Sequence, residues 1–138
     1  MSLPDLSQAL KEFAENRDWD KFHSPKNFAC ALLVEAGELL DPLQWVGHEE
    51  SRDHVKNPEV KAYLEKEVGD VLINLLQFAR WCDIDVEQAA WRKLEKLEAR
   101  YNVERVKQEN IGLTRIDEAT GKAVFASLTT PKSKESPS

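Results

Sequence analysis

Four acidic residues sit where acids are costly. In residues 28–40, FACALLVEAGELL, Glu35 and Glu38 are the only charges among apolar or small side chains. Read as a helix, Glu35 falls beside Phe28, Leu32 and Leu39, and Glu38 lies one turn on along the same edge. The stretch KEVGDVLINLLQFA repeats the arrangement with Glu67 and Asp70. Like charges held close in a low dielectric resist joint ionisation, so two such pairs on packed helices call for a counter-cation. Residues three apart share a helix face, and two such helices side by side would surround one space with carboxylates. Oxygen-only ligands favour hard cations such as Mg²⁺ or Mn²⁺ over zinc.

Two simpler readings compete with this one. An acidic pair at helical spacing is more often a solvated polar face, but these pairs interrupt apolar runs and recur on two helices. A di-iron bundle would need Glu-x-x-His on two helices, and His23, His48 and His54 all lie outside both carboxylate stretches.

The elements that must position these acids are helices. Residues 3–18 carry Leu6, Leu10, Phe13 and Ala14 on one face. Ser24-Pro25 is a cap followed by a first-turn proline, opening a helix over about 25–40. Pro42 cannot continue that helix without clashing with the Glu38 carbonyl, so a new short helix is expected from Pro42 with Asp41 as its cap. GHEESRDHVKN then reads as a polar loop. Asn57-Pro58 repeats the cap-and-proline signal for a third helix to about Cys82. Asp85 with Gln88 resembles a capping box for a fourth, which carries Ala89, Ala90, Leu94, Leu97 and Tyr101 inward. Arg92, Lys93, Lys96 and Arg100 are among its polar positions. Four amphipathic helices on short loops make an all-α four-helix bundle spanning 1–110. Residues 111–138 read as an extension, with a short hairpin near Thr120-Gly121 and a tail of disordered composition.

Bulk properties agree. The chain has 138 residues, enough for one domain with a real core, and a net charge of −6 argues against a nucleic-acid polymer as partner. A single nucleotide remains compatible, since a metal supplies positive charge locally. Cys30 and Cys82 read as small buried hydrophobes in a reducing compartment. No apolar run spans a bilayer and no signal-like apolar core opens the chain, so no membrane is expected and the cytoplasm is the expected location.

RDWDKFHSPKNFACALLVEAGELLDPLQW, followed by KEVGDVLINLL, resembles the MazG-like all-α nucleoside triphosphate pyrophosphohydrolases, and the dCTP pyrophosphatase branch in particular. The resemblance covers about residues 5–101 and includes the E-x-x-E…E-x-x-D hallmark as Glu35, Glu38, Glu67 and Asp70. It implies hydrolysis of a nucleoside triphosphate to the monophosphate and pyrophosphate, with those four acids holding Mg²⁺ against the triphosphate. Glu38 is the carboxylate suggested as base toward water, and attack at the α or the β phosphorus fits equally. Trp19 and Trp45 match tryptophans that line the nucleotide pocket in that branch, where a flat ring stacks on any base. Either could equally be core. His23 and Asn27 match motif positions, His23 with a structural character and Asn27 as a polar contact to nucleotide.

Asn74, one turn beyond Asp70, stands where mammalian-type relatives tend to carry Tyr, which bears on base and sugar preference. Lys93, Arg100 and Tyr101 match the K…R-[YF] end of the fourth helix, where basic groups meet phosphates. Leu97 stands where many relatives carry Asn, a contact that Lys96 could replace. Family members assemble as homodimers or tetramers with sites at subunit interfaces. The alternatives are a relative of different specificity, cleaving dUTP or phosphoribosyl-ATP, and a helical interaction module without turnover. Intact acids argue against that module, since a scaffold gains by replacing buried acids with apolar residues.

Overall fold

Helix α1 (Leu3–Glu15) starts from Ser2, whose hydroxyl accepts from the Asp5 N–H while the Asp5 carboxylate accepts from the Ser2 N–H. These reciprocal bonds satisfy two of the orphan donors of the first turn. The computed structural model describes residues 2–109, 114–116 and 123–125. After a 3-10 turn over Asp20–Phe22 come α2 (Pro25–Glu38), α3 (His48–His54), α4 (Pro58–Trp81), α5 (Val86–Arg100) and α6 (Val103–Glu109). Two three-residue strands, β1 (Thr114–Ile116) and β2 (Ala123–Phe125), pair antiparallel with Thr114 opposite Phe125. The turn expected at Thr120-Gly121 and the tail lie outside the described residues.

The chain forms two compact units that divide between Trp91 and Arg92, inside α5. In the first unit α4 is the spine. At 24 residues it is about 36 Å long, and both α2 and α1 pack on it. Ala14 of α1, Phe28 of α2, and Leu76 and Ala79 of α4 are its buried apolar residues. The expected caps open the two helices that matter most: Ser24 Oγ accepts from the Asn27 N–H, and Asn57 Oδ1 accepts from the Glu59 and Val60 N–H groups.

Helices α1 and α4 stop in the same way. Asp18 and Asp83 each take a left-handed backbone with φ of 53°. The next N–H, of Trp19 or Ile84, then reaches back to the carbonyl of Ala14 or Ala79 at 3.0 and 2.9 Å. These are Schellman-type ends with Asp where glycine is commonest. They stop α1 at Glu15, short of the expected 18.

The segment after α2 differs from expectation. No helix starts at Pro42; residues 39–46 are successive turns, with Leu43 N–H on the Leu40 carbonyl and Val46 N–H on that of Leu43. The helix lies instead in the stretch read as a loop. Gly47 caps α3, with the Glu50 carboxylate accepting the Gly47 N–H at 3.4 Å. Glu49 and Glu50 in its first turn and Arg52 and His54 in its last suit the helix dipole. A seven-residue helix without an apolar stripe leaves no periodic signal to read.

Candidate active site

The last two turns of α2 and the middle of α4 face each other with acids. Glu35, Glu38 and Glu67 each offer a carboxylate oxygen, and these oxygens all lie within 4.8 Å of one another. The Glu67 side chain is 1% exposed, while Glu35 and Glu38 are half-buried. One oxygen, Glu67 Oε1, accepts from Lys66 Nζ at 2.7 Å. The other, Oε2, is buried with no hydrogen-bond donor facing it among the described residues. Asp70 is one turn further along α4, 3.7 Å from the same Lys66 ammonium, and is not one of the three converging acids.

Crowding sets the protonation of this cluster. The Glu38 carboxyl is pushed above the ordinary range, first by a hydrogen bond to Glu67 that favours its protonated form, then by the Glu67 charge, burial and the Glu35 charge. Glu67 is held below the ordinary range, first by the Lys66 hydrogen bond. The two shifts run in opposite directions, so of the pair Glu38 is the carboxyl that holds a proton more readily. Divalent charge would do the same work for all three acids at once. A buried unpaired carboxylate oxygen among converging oxygen donors fits a hard cation of the Mg²⁺ or Mn²⁺ type.

Trp19 is delivered by the end of α1. The Schellman bond fixes its backbone, and its ring meets Phe13 edge-on at 5.6 Å between centroids. It keeps 43% of its surface exposed, and the Arg17 guanidinium lies over the ring at 5.9 Å from its centroid. His23 turns inward: its ring lies 4.8 Å from that of Phe28 and its Nδ1 is buried, 3.6 Å from Asp20 Oδ1. In this position the imidazole packs against the Phe28 ring. Asn27 Nδ2 donates to the Phe22 carbonyl at 3.0 Å and so ties the 3-10 turn to α2.

A cross-link absent from the sequence reading holds this turn on the spine. Arg80 Nη2 donates to Asp20 Oδ1 at 2.8 Å and Nη1 to Oδ2 at 3.4 Å, while Nε donates to Gln77 Oε1 at 2.9 Å. Arg80 holds the Asp20 carboxyl below its usual range. Sixty residues separate the partners, and no local pattern announces such a pair.

Trp45 projects from the turns after α2 with 91% of its surface exposed. Those turns are tied to α4 by the Tyr63 hydroxyl, which donates to Asp41 Oδ2 at 3.3 Å. Asp41 therefore serves as an acceptor for Tyr63 rather than as the expected helix cap. Asn74 is half-buried on α4 and spends its Nδ2 on the Asp70 carbonyl, 2.9 Å away. Lys93 and Arg100 are exposed on α5 in the second unit, and Tyr101 is half-buried just beyond that helix. Cys30 and Cys82 are not buried, as the sequence suggested, but exposed. Among the described residues no helix is long and apolar enough to cross a membrane.

Residues 23–103 match the MazG nucleotide pyrophosphohydrolase domain. The chain is 38% identical over 102 residues to dCTP pyrophosphatase 1 of Bos taurus, covering 74% of this chain and 60% of that protein. It is 37% identical over 100 residues to dCTP pyrophosphatase 1 of Homo sapiens, covering 72% and 59%. The match thus spans about three-fifths of the length of these relatives. A crystal structure of a pyrophosphatase from Archaeoglobus fulgidus superposes with a TM-score of 0.66 at 36% identity, covering 72% of this chain and 91% of that one. With a domain match over most of the helical region and a like-folded relative, the chain belongs to the MazG nucleotide pyrophosphohydrolase family.

Proposed function

We propose that this protein hydrolyses a deoxynucleoside triphosphate, dCTP or a related or modified dNTP, to the monophosphate and pyrophosphate in a Mg²⁺-dependent reaction. The observation that carries the reading is the buried, unpaired Glu67 Oε2 amid the converging Glu35 and Glu38 carboxylates. A pure scaffold gains nothing from that arrangement. Glu35, Glu38 and Glu67 would hold the ion, with Asp70, one turn along α4, as a fourth ligand. The ion supplies positive charge to the phosphates and makes water easier to deprotonate. Glu38, at the end of α2 among these acids, is the carboxylate that would take a proton from the attacking water. Trp19 and Trp45 offer ring faces to the base, and the similarity to dCTP pyrophosphatases supports a cytosine nucleotide. Asn27 and Asn74 would add polar contacts, and Lys93, Arg100 and Tyr101 would meet phosphates, as their match to the family pattern suggests.

The active form is a homo-oligomer in this reading. Leu33 and Val34 on α2 are 76% and 59% exposed and Val68 on α4 is 55% exposed. Apolar surface of this extent on the very helices that carry the acids favours a second copy as cover. A reducing compartment such as the cytoplasm suits two exposed free thiols.

The test is direct. The protein is incubated with a panel of dNTPs and NTPs with Mg²⁺ and the released phosphorus species are identified. Pyrophosphate with the monophosphate, highest for dCTP and lost in Glu67→Gln, is the expected result. Release of orthophosphate with the diphosphate, or no release at all, would overturn it.

A further inference from the structure

The lysine next to Glu67 has no part in the reaction as proposed, yet its ammonium lies against two of the acids assigned to the centre. Lys66 Nζ lies 2.7 Å from Glu67 Oε1 and 3.7 Å from Asp70 Oδ2. These are the two acids that α4 would contribute to a metal ion. One ammonium thus spans both, while Glu67 Oε2 on the other side of the same carboxylate faces no donor. Lys66 itself keeps 66% of its side chain in solvent, so its four-carbon stem can swing the charge out at little packing cost. We propose that the Lys66 ammonium is a resident counter-cation of the carboxylate centre, and that it must leave Glu67 when a divalent ion enters. Metal binding is then an exchange of one cation for another rather than the filling of a bare anionic hole.

Two consequences separate this role from that of an ordinary surface lysine. The bridge stabilises the metal-free fold, because without it Glu67 would be a buried carboxylate with neither oxygen compensated. It also weakens the apparent affinity for the ion, because the bridge must break first. Lys61 provides the comparison within the same helix. It pairs with Glu65 at 3.6 Å, both side chains are 67% exposed, and neither partner belongs to the cluster. Removing Lys61 changes the net charge as much as removing Lys66 does, so it reports any generic effect of one fewer positive charge.

The proposal rests on the metal-centre reading above, and its test separates the two. Full-length wild type, Lys66→Met, Lys66→Arg and Lys61→Met are titrated with Mn²⁺, following free ion by electron paramagnetic resonance. Each is also melted without metal and with saturating Mn²⁺. Lys66→Met is expected to bind Mn²⁺ roughly three- to tenfold more tightly than Lys61→Met, the scale of one charged contact. It should melt below wild type without metal and level with it when saturated, and Lys66→Arg should restore the wild-type affinity and melt. Equal Mn²⁺ affinity in Lys66→Met and Lys61→Met, or weaker binding by Lys66→Met, overturns the exchange and leaves the metal centre standing. Absence of Mn²⁺ binding by wild type overturns both.

Discussion

Replacing Glu38 with glutamine should make the metal-free protein more stable and the metal-dependent protein inert. Glu38 ends α2, half-buried, against Glu35 and Glu67, and its carboxyl is raised above its ordinary value of 4.5. An acid raised in the folded state contributes stability below that ordinary value and loses it as pH rises through the folded value. Once pH has risen far enough to ionise it, Glu38 therefore works against the metal-free fold. Glutamine removes the charge and brings an N–H₂ that can donate to the orphan Glu67 Oε2, as a protonated Glu38 would. The response to metal should invert. For wild type, Mg²⁺ at a hundredfold excess over its Kd stabilises by about 2.7 kcal/mol. For a cooperative unit the size of Met1–Trp91, that is a rise in Tm of about 10–20 °C. If the variant binds about a hundredfold more weakly, the same Mg²⁺ moves its Tm by only about 2–3 °C. Differential scanning fluorimetry at pH 5 and pH 8, with and without Mg²⁺, measures all of this. Glu38→Gln should melt above wild type at pH 8 without metal, with the gap shrinking at pH 5. A variant that melts lower than wild type at pH 8 without metal, or that keeps the full Mg²⁺ shift, would refute the reasoning.

Three further outcomes follow from other parts of the first unit. Asp20, held low by Arg80, contributes stability above its unfolded value near 3.8 and loses it as pH falls through the folded value. Asp20→Asn should therefore melt below wild type at pH 7 and converge with it near pH 3, and parallel melting curves would remove the ion pair from the account of this turn. Trp45→Ala should leave stability within about 0.5 kcal/mol, since the ring is 91% exposed, while raising KM for dCTP; an unchanged KM would sever Trp45 from the nucleotide. Gly69 sits in the middle of α4 with nothing within 4 Å of where a Cβ would be. Gly69→Ala should stabilise the chain by about 0.5–1 kcal/mol in urea unfolding, whereas a loss of stability would mean that another surface packs there.

What the sequence disclosed about this molecule was local. Ser24-Pro25 and Asn57-Pro58 announce α2 and α4 because a cap and a first-turn proline act within three residues. The two acid pairs are readable because three-residue spacing dictates a shared helix face. That spacing does not report distance between helices, so it cannot show that the oxygens of Glu35, Glu38 and Glu67 converge while Asp70 lies one turn further along. The Lys66–Glu67 contact is illegible for a related reason: neighbours in a helix point about 100° apart, and only a long flexible stem brings the ammonium round. The Asp20–Arg80 and Asp41–Tyr63 contacts join residues 60 and 22 apart, beyond the reach of any periodicity. Helix α3 and the turns before it lie the other way round from the expected helix and loop because capping by Gly47 and charge placement, rather than an apolar stripe, decide where that helix forms.

The most direct measurement is anomalous diffraction from crystals soaked in Mn²⁺. The convergence of Glu35, Glu38 and Glu67 predicts an anomalous peak among their carboxylate oxygens at coordination distance, with Lys66 withdrawn from Glu67. Crystals that take up Mn²⁺ elsewhere and leave that space without a peak would contradict the claim that these acids form a metal centre.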